Sequence, residues 1–214
     1  MTQQIDKKII AFTGPDGIGK TTQAKLLVDW MNSDYYFHFS KTVYIKELND
    51  SNHIYKLFRD TVYSLYKQVD TVTLANLIKL NRYVLQEDIK RTRGSTRSVV
   101  DRWNICTYVY LKAKGVSEQI ASIYLTDKYT TIPGLTIMLV GMNGAIRTSN
   151  RPDNNNMFED IGNEFKIRLA EAYIDFDTSL YKGKVVKINN DELTKEETHE
   201  LIKQAVLDYF RGNL

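Results

Sequence analysis

Residues 14–21, Gly-Pro-Asp-Gly-Ile-Gly-Lys-Thr, leave this chain few folds to choose from. They fit G-x-x-x-x-G-K-[ST], follow an apolar run Ile9-Ile-Ala-Phe-Thr13, and open a helical pattern over 21–31. Glycine at 14, 17 and 19 lets the backbone curl until its N–H groups converge on an anion. The helix N-terminus that follows adds its dipole to the same anion. In this reading Lys20 is a point charge for the β- and γ-phosphates on an exposed loop, and the Thr21 hydroxyl is a ligand for Mg²⁺. Gly14, Asp16, Gly17, Ile18, Gly19 and Thr22 complete the stretch expected to contact phosphate. A chance match somewhere in such a chain has a probability of roughly 1% at average residue frequencies. The strand-turn-helix context lowers it further, so a plain glycine turn is the weaker reading.

Four more short apolar runs, at 42–46, 98–101, 135–140 and 185–188, join 8–13 as strands. Each is apolar on both faces, as buried parallel strands are. Helical periodicity lies between them. Leu74, Leu77, Ile78 and Leu85 mark one helix. Apolar residues at 158, 161, 165, 169, 172, 173, 176 and 180 mark the longest. Thr194-Lys-Glu-Glu197 starts the last with a capping-box pattern. Strands alternating with helices predict a three-layer α/β fold, a five-stranded parallel sheet flanked by helices, with ligands beyond the strands' carboxyl ends. The polar stretch 143–157, with three consecutive asparagines and Pro152, reads as a short mobile lid inside one domain spanning 1–214.

The remaining composition narrows the function. Twenty-nine basic and 26 acidic residues leave a net charge of +3 with no long run of one sign. That gives no footprint for nucleic acid. The longest apolar stretch, 135–142, is far short of the ~20 residues that span a bilayer. The N-terminus shows no secretory signal, and the single Cys106 cannot make an internal disulfide, so a cytoplasmic protein is expected. A GTPase would carry N-K-x-D, and the chain has no Asn-Lys pair. The third strand ends in Asp101-Arg102-Trp103. A carboxylate there can hold a Mg²⁺-bound water, and the arginine beside it can clamp a second phosphate. That pairing suits phosphoryl transfer between two phosphorylated molecules.

With these residues in order, the chain resembles the thymidylate kinase family of nucleoside monophosphate kinases. Residues 14–23 look like its phosphate loop, Asn81-Arg82-Tyr83 is similar to the arginine motif on its substrate-binding helix, and Asp101-Arg102-Trp103 looks like its Asp-Arg-aromatic signature. Tyr110 falls where the family keeps a Tyr or Phe. Arg147, Arg151 and Glu159 fit its lid, and Phe165, Arg168 and Tyr173 continue the match. The resemblance implies a P-loop kinase fold and ATP-dependent phosphorylation of a deoxynucleoside 5′-monophosphate, with Mg²⁺. It assigns Lys20 to the ATP phosphates, Arg102 to the monophosphate, Arg82 to the base edge and Asp16 to the sugar 3′-hydroxyl. Tyr110 would crowd the 2′ position. Arg151, with Arg147, would close over the transferring group, since Gly17 fits the subtype whose catalytic arginine comes from the lid. Thr21 and Asp101 would serve the metal. The family also tends to dimerise, so a homodimer is expected.

Three positions depart from the pattern. Ile78 stands where the family usually has a phenylalanine stacked on the base. Leu111 stands where bacterial members often have glutamine. Lys46-Glu-Leu-Asn-Asp50 stands for Arg-Glu-Pro-Gly-Gly, with Lys46 in place of the arginine. These changes leave the phosphate chemistry intact and the preferred base open. The other functions that stay open are a deoxynucleoside kinase and a catalytically silent nucleotide-binding protein.

Overall fold

A computed structural model of the chain describes residues 3–48, 51, 53–91, 96–144 and 162–212. Its five strands are β1 (Ile5–Thr13), β2 (Thr42–Lys46), β3 (Arg97–Asp101), β4 (Ile132–Val140) and β5 (Lys184–Asn189). They pair in the order β2-β3-β1-β4-β5, every pair parallel. All five lie where the apolar runs put them, and each end shifts by at most a few residues. β4, buried at every position, sits inside the sheet as its unbroken apolar composition requires.

The helices are α1 (Lys20–Ser33), α2 (His53–Leu65), α3 (Thr71–Arg91), α4 (Asn104–Ala113), α5 (Glu118–Thr126), α6 (Asn163–Ile174) and α7 (Lys195–Arg211). Alternation along the strands sorts them onto two faces. Ile10, Phe12, Val99, Leu135, Ile137 and Leu139 meet Ala24, Leu27 and Met31 of α1 and Ile202, Ala205 and Val206 of α7. On the other face Ile9, Ala11 and Val100 meet Leu85 and Ile89 of α3, while Met138 and Val140 join the α4–α5–α6 cluster. Each fully buried Leu, Ile or Phe contributes about 1.5–3 kcal/mol over leaving it exposed. These clusters therefore hold the strand ends, and the site on them, in place.

Local signals set the helix ends. Thr194 caps α7 with the reciprocal box read from the sequence: its Oγ1 accepts the Glu197 N–H at 3.1 Å, and its own N–H donates to Glu197 Oε2 at 2.8 Å. Gly212, at φ +79°, closes the helix. The expected helix through 158–180 is corrected: α6 ends at Ile174, and positions 158 and 161 lie outside the described residues. Asp177 takes the Ser179 N–H at 2.9 Å and starts a separate 3₁₀ turn, Thr178–Leu180, a local bond that competes with helix continuation. Among the described residues no helix is long and apolar enough to cross a membrane.

Candidate active site

The loop between β1 and α1 is built on conformations that only glycine adopts readily. Gly14, Gly17 and Gly19 have φ of +145°, +77° and +104°, and a Cβ on Gly14 would lie 2.2 Å from the Leu139 carbonyl oxygen. Gly19 occupies the N-cap of α1 and offers no side-chain cap, so the first helical N–H groups are left for an anion. The Ile18 side chain is 1% exposed in the core beneath and anchors the loop, which leaves its backbone to face a ligand. Asn190 ties the loop down from the far side, donating to the Ile18 carbonyl at 2.8 Å.

The exposed position expected for Lys20 is corrected. It is 5% exposed, enclosed by its own loop, with Nζ donating to the Pro15 carbonyl at 2.6 Å and lying 3.7 Å from Asp16. Burial depresses its pKa, Arg102 pushes the same way, and Asp16 and Asp101 only partly oppose them. Thr22 is exposed on the first turn of α1.

Register brings the two chemical strand ends together. Phe12 pairs with Asp101, and Lys46 pairs with Asp101 from the other side. Asp101 is 2% exposed; its Oδ2 accepts from Thr21 Oγ1 at 2.5 Å and from the Tyr44 hydroxyl at 3.0 Å. Its Oδ1 has no hydrogen-bond partner among the described residues. A buried carboxylate oxygen without a partner is costly unless a ligand satisfies it. One carboxylate and one hydroxyl suit Mg²⁺, which keeps most of its waters and uses few protein ligands. No cluster of three or more His, Cys, Asp or Glu forms a fuller metal cage among the described residues.

Arg102 follows at φ +75°, with its N–H donating to the Phe12 carbonyl at 2.9 Å. That left-handed conformation costs a side-chain-bearing residue on the order of 1–2 kcal/mol. The turn directs its guanidinium onto Asp16 of the phosphate loop, with which it forms an ion pair. Burial alone would raise the Asp16 pKa, but the charges of Arg102 and Lys20 outweigh it and hold it below the ordinary value. Burial alone would lower that of Arg102, and Asp16, with smaller help from Cys106, Tyr173 and Asp101, more than reverses this.

The remaining described candidates lie on α3, α4 and β2. Arg82 on α3 is 1% exposed, ion-paired with Glu47 at 2.7 Å and bonded to Thr107 Oγ1 at 3.1 Å. Ile78 is half-buried one turn earlier on α3. The Tyr110 ring meets Phe165 of α6 edge-on at 5.4 Å. Its pKa is pushed up first by burial, then by Tyr66, and also by the Asp16 charge. Leu111, next along α4, is fully buried in the cluster of α4, α5 and α6, because one step along a helix turns a side chain through about 100°. Lys46 lines a cleft of about 820 Å³ beside β2, with Tyr55, Arg59 and Tyr63; its neighbour Glu47 is the one that meets Arg82. Arg147, Arg151 and Glu159, and the lid beyond Gly144, lie outside the described residues.

Several contributors had no role in the sequence reading. Tyr44, Glu47 and Thr107 are named above; a fourth group is Thr13, whose hydroxyl is 2.9 Å from Cys106 Sγ and donates to the Tyr173 hydroxyl at 3.4 Å. Alternation along β2 is the signal for Tyr44, since it puts that ring on the α1 side with Thr21. Nothing in the sequence marks Thr107.

Residues 12–202 match the sequence profile of the thymidylate kinase family. A probable thymidylate kinase of Methanococcus aeolicus is 28% identical over 206 residues, covering 94% of this chain and 96% of that one. A thymidylate kinase of Orientia tsutsugamushi is 27% identical over 207 residues, 91% of each chain. In three dimensions, the thymidylate kinase of Candida albicans aligns at a TM-score of 0.69 with 19% identity, over 94% of this chain and 91% of that one, a likeness of fold. With the family profile spanning both chemical strand ends and the phosphate loop between them, the chain belongs to the thymidylate kinase family of phosphotransferases.

Proposed function

We propose that this protein transfers the γ-phosphoryl group of ATP to a deoxynucleoside 5′-monophosphate, dTMP or a related or modified deoxynucleotide. The observation that carries the reading is the convergence at the ends of β1 and β3. There an uncapped helix N-terminus with Lys20, a Thr21–Asp101 pair with an open carboxylate oxygen, and Arg102 braced on Asp16 stand together. Phosphoryl transfer needs mostly in-line positioning and charge stabilisation, and these groups supply both.

In this reading Lys20 and the loop N–H groups hold the ATP phosphates, and Thr21 and Asp101 hold Mg²⁺, directly or through its water. Bound there, Mg²⁺ would neutralise charge developing on the phosphate oxygens. Arg102 grips the monophosphate, Asp16 meets the sugar 3′-hydroxyl, Tyr110 crowds a 2′-hydroxyl, and Arg82 reads the base edge above Ile78. Lys46 is kept as a further substrate contact. Arg151, with Arg147, supplies positive charge on lid closure. The proposal takes residues 1–214 as one kinase domain working in the cytoplasm, with a second copy of the chain as its partner and no nucleic-acid role. The deoxynucleoside-kinase and silent-binder alternatives have no support from the family the chain belongs to.

The test is ADP release with ATP and Mg²⁺ against dTMP, dUMP, 5-substituted dUMP, dCMP, dGMP, UMP and thymidine, in the parent and in Ile78→Phe. The parent should turn over dTMP, leave thymidine untouched, discriminate against UMP, and accept 5-substituted or other deoxynucleotides. Ile78→Phe should tighten dTMP, since aromatic–base stacking contributes about 1–3 kcal/mol. Turnover of thymidine in place of dTMP, or ATP binding with no turnover of any nucleotide, would overturn the reading. With Leu111 in the core, the argument for a permissive base pocket rests on Ile78 alone.

A further inference from the structure

Glu47 is the buried acid of the substrate side, and the strand pattern fixes it at both ends. Its N–H donates to the Asp101 carbonyl at 3.1 Å, carrying the β2–β3 ladder one step past Lys46. The chain then turns at once, with Leu48 at φ +52°. The Glu47 side chain is 5% exposed, its Oε1 accepts from Arg82 Nε at 2.7 Å, and Nη2 lies 2.7 Å from the same oxygen as an ion pair. Nη2 also donates to Thr107, and the Trp103 ring centroid lies 5.5 Å from the guanidinium carbon. Two of the three guanidinium nitrogens are thereby committed. Nη1 is the one with no partner among the described residues.

We infer that Glu47 is a positioning residue for substrate recognition: it neutralises Arg82 and locks its guanidinium so that the Nη1 edge alone is presented to the base. This rests on the functional reading above. The two arginines of the site differ in how they are paired. Asp16, the partner of Arg102, is 40% exposed on a loop, so Arg102 can exchange it for an incoming phosphate. Arg82 and Glu47 are both buried, on α3 and directly after β2, and a buried arginine stripped of its carboxylate would seek another anion. In the functional reading the bound monophosphate is that anion. Clamped by Glu47, Arg82 instead offers a neutralised donor edge. That edge suits a carbonyl oxygen on the base and rejects an amino group in the same place.

The experiment compares the parent, Glu47→Gln, Glu47→Asp and the double variant Glu47→Gln/Arg82→Gln with the single Arg82→Gln. For each, ADP-release kinetics with dTMP, dCMP and ATP are measured beside a thermal melt. Glu47→Gln keeps the shape and one acceptor oxygen while removing the charge, so it is the variant suited to folding. It should raise KM for dTMP about tenfold, with kcat within about threefold and KM for ATP unmoved, and lower the dTMP over dCMP preference by about tenfold. Glu47→Asp, which restores the charge on a shorter arm, should fall between. In the Arg82→Gln background the Glu47 change should add nothing to KM for dTMP. A purely structural Glu47 would instead reduce kcat through lost active protein, leaving both KM values and the dTMP/dCMP ratio at parent levels. That result, or additive effects in the double variant, would overturn the inference. A parent that phosphorylates no deoxynucleoside monophosphate would instead overturn the functional reading itself.

Discussion

Replacing Lys20 by methionine should separate catalysis from stability. The methionine keeps the buried stem and deletes the ammonium. Two contributions to stability then oppose one another. The hydrogen bond from a charged donor to the Pro15 carbonyl, 2.6 Å long, contributes about 1.5–3 kcal/mol. Against it stands the burial of the ammonium, which costs several kcal/mol and is only partly offset by Asp16 at 3.7 Å. The net sign follows from the pKa. Burial, reinforced by Arg102, lowers the lysine pKa in the fold. A lysine whose folded pKa lies below its unfolded value is less stable charged in the fold than in the unfolded chain, so at neutral pH its charge subtracts stability. Lys20→Met should therefore melt within about 2–4 °C of the parent, on the stable side. Its turnover should fall on the order of 10²–10³-fold, about 2.7–4 kcal/mol, the usual loss when one preorganised charge is removed from a transition state. Thermal melts and ADP release with dTMP at saturating ATP measure both. A folded Lys20→Met with parental kcat would refute the phosphate-loop assignment. A large drop in melting temperature with little loss of specific activity would show that the lysine serves the fold.

Asp101→Asn should shift the Mg²⁺ concentration for half-maximal turnover upward by about tenfold or more, because Asp101 would hold the ion or its water; an unmoved Mg²⁺ titration would place the metal elsewhere. Arg151→Ala should lower kcat about 10²-fold with a smaller change in KM for the monophosphate, and an unchanged kcat would pass the role to Arg147. Asp16 has a folded pKa below its ordinary value of 3.8, so its contribution to stability is full above 3.8 and is lost as pH falls toward the depressed value. Asp16→Asn should accordingly be less stable than the parent in urea at pH 7, with the gap closing as pH drops below 3.8; a gap that stays constant down to pH 3 would deny the ion pair with Arg102.

Local chemistry settled much of this protein in advance. The glycine spacing of residues 14–21 dictates a loop of left-handed residues opening a helix, and the backbone adopts it at Gly14, Gly17 and Gly19. Five apolar runs dictate five parallel strands, of which the outer two, β2 and β5, are only partly buried, and Thr194 with Glu197 dictates the start of α7. All of these depend on residues close in sequence, where side-chain type fixes backbone preference directly. Tertiary packing decided what depends on distant neighbours. Sheet register set Asp101 against Thr21, 80 residues away, and Tyr44 completed the pair. Helix rotation sent Leu111 into the core while leaving Tyr110 half-buried against Phe165, a difference of one residue that no motif encodes. Enclosure by its own loop made Lys20 a buried cation rather than an exposed one. Above all, Glu47 and Arg82, 35 residues apart, became one buried pair only because an edge strand and a helix converge there. A sequence states which groups are present; which of them share a desolvated space, and so change each other's charge and orientation, is fixed only when the sheet and its helices close.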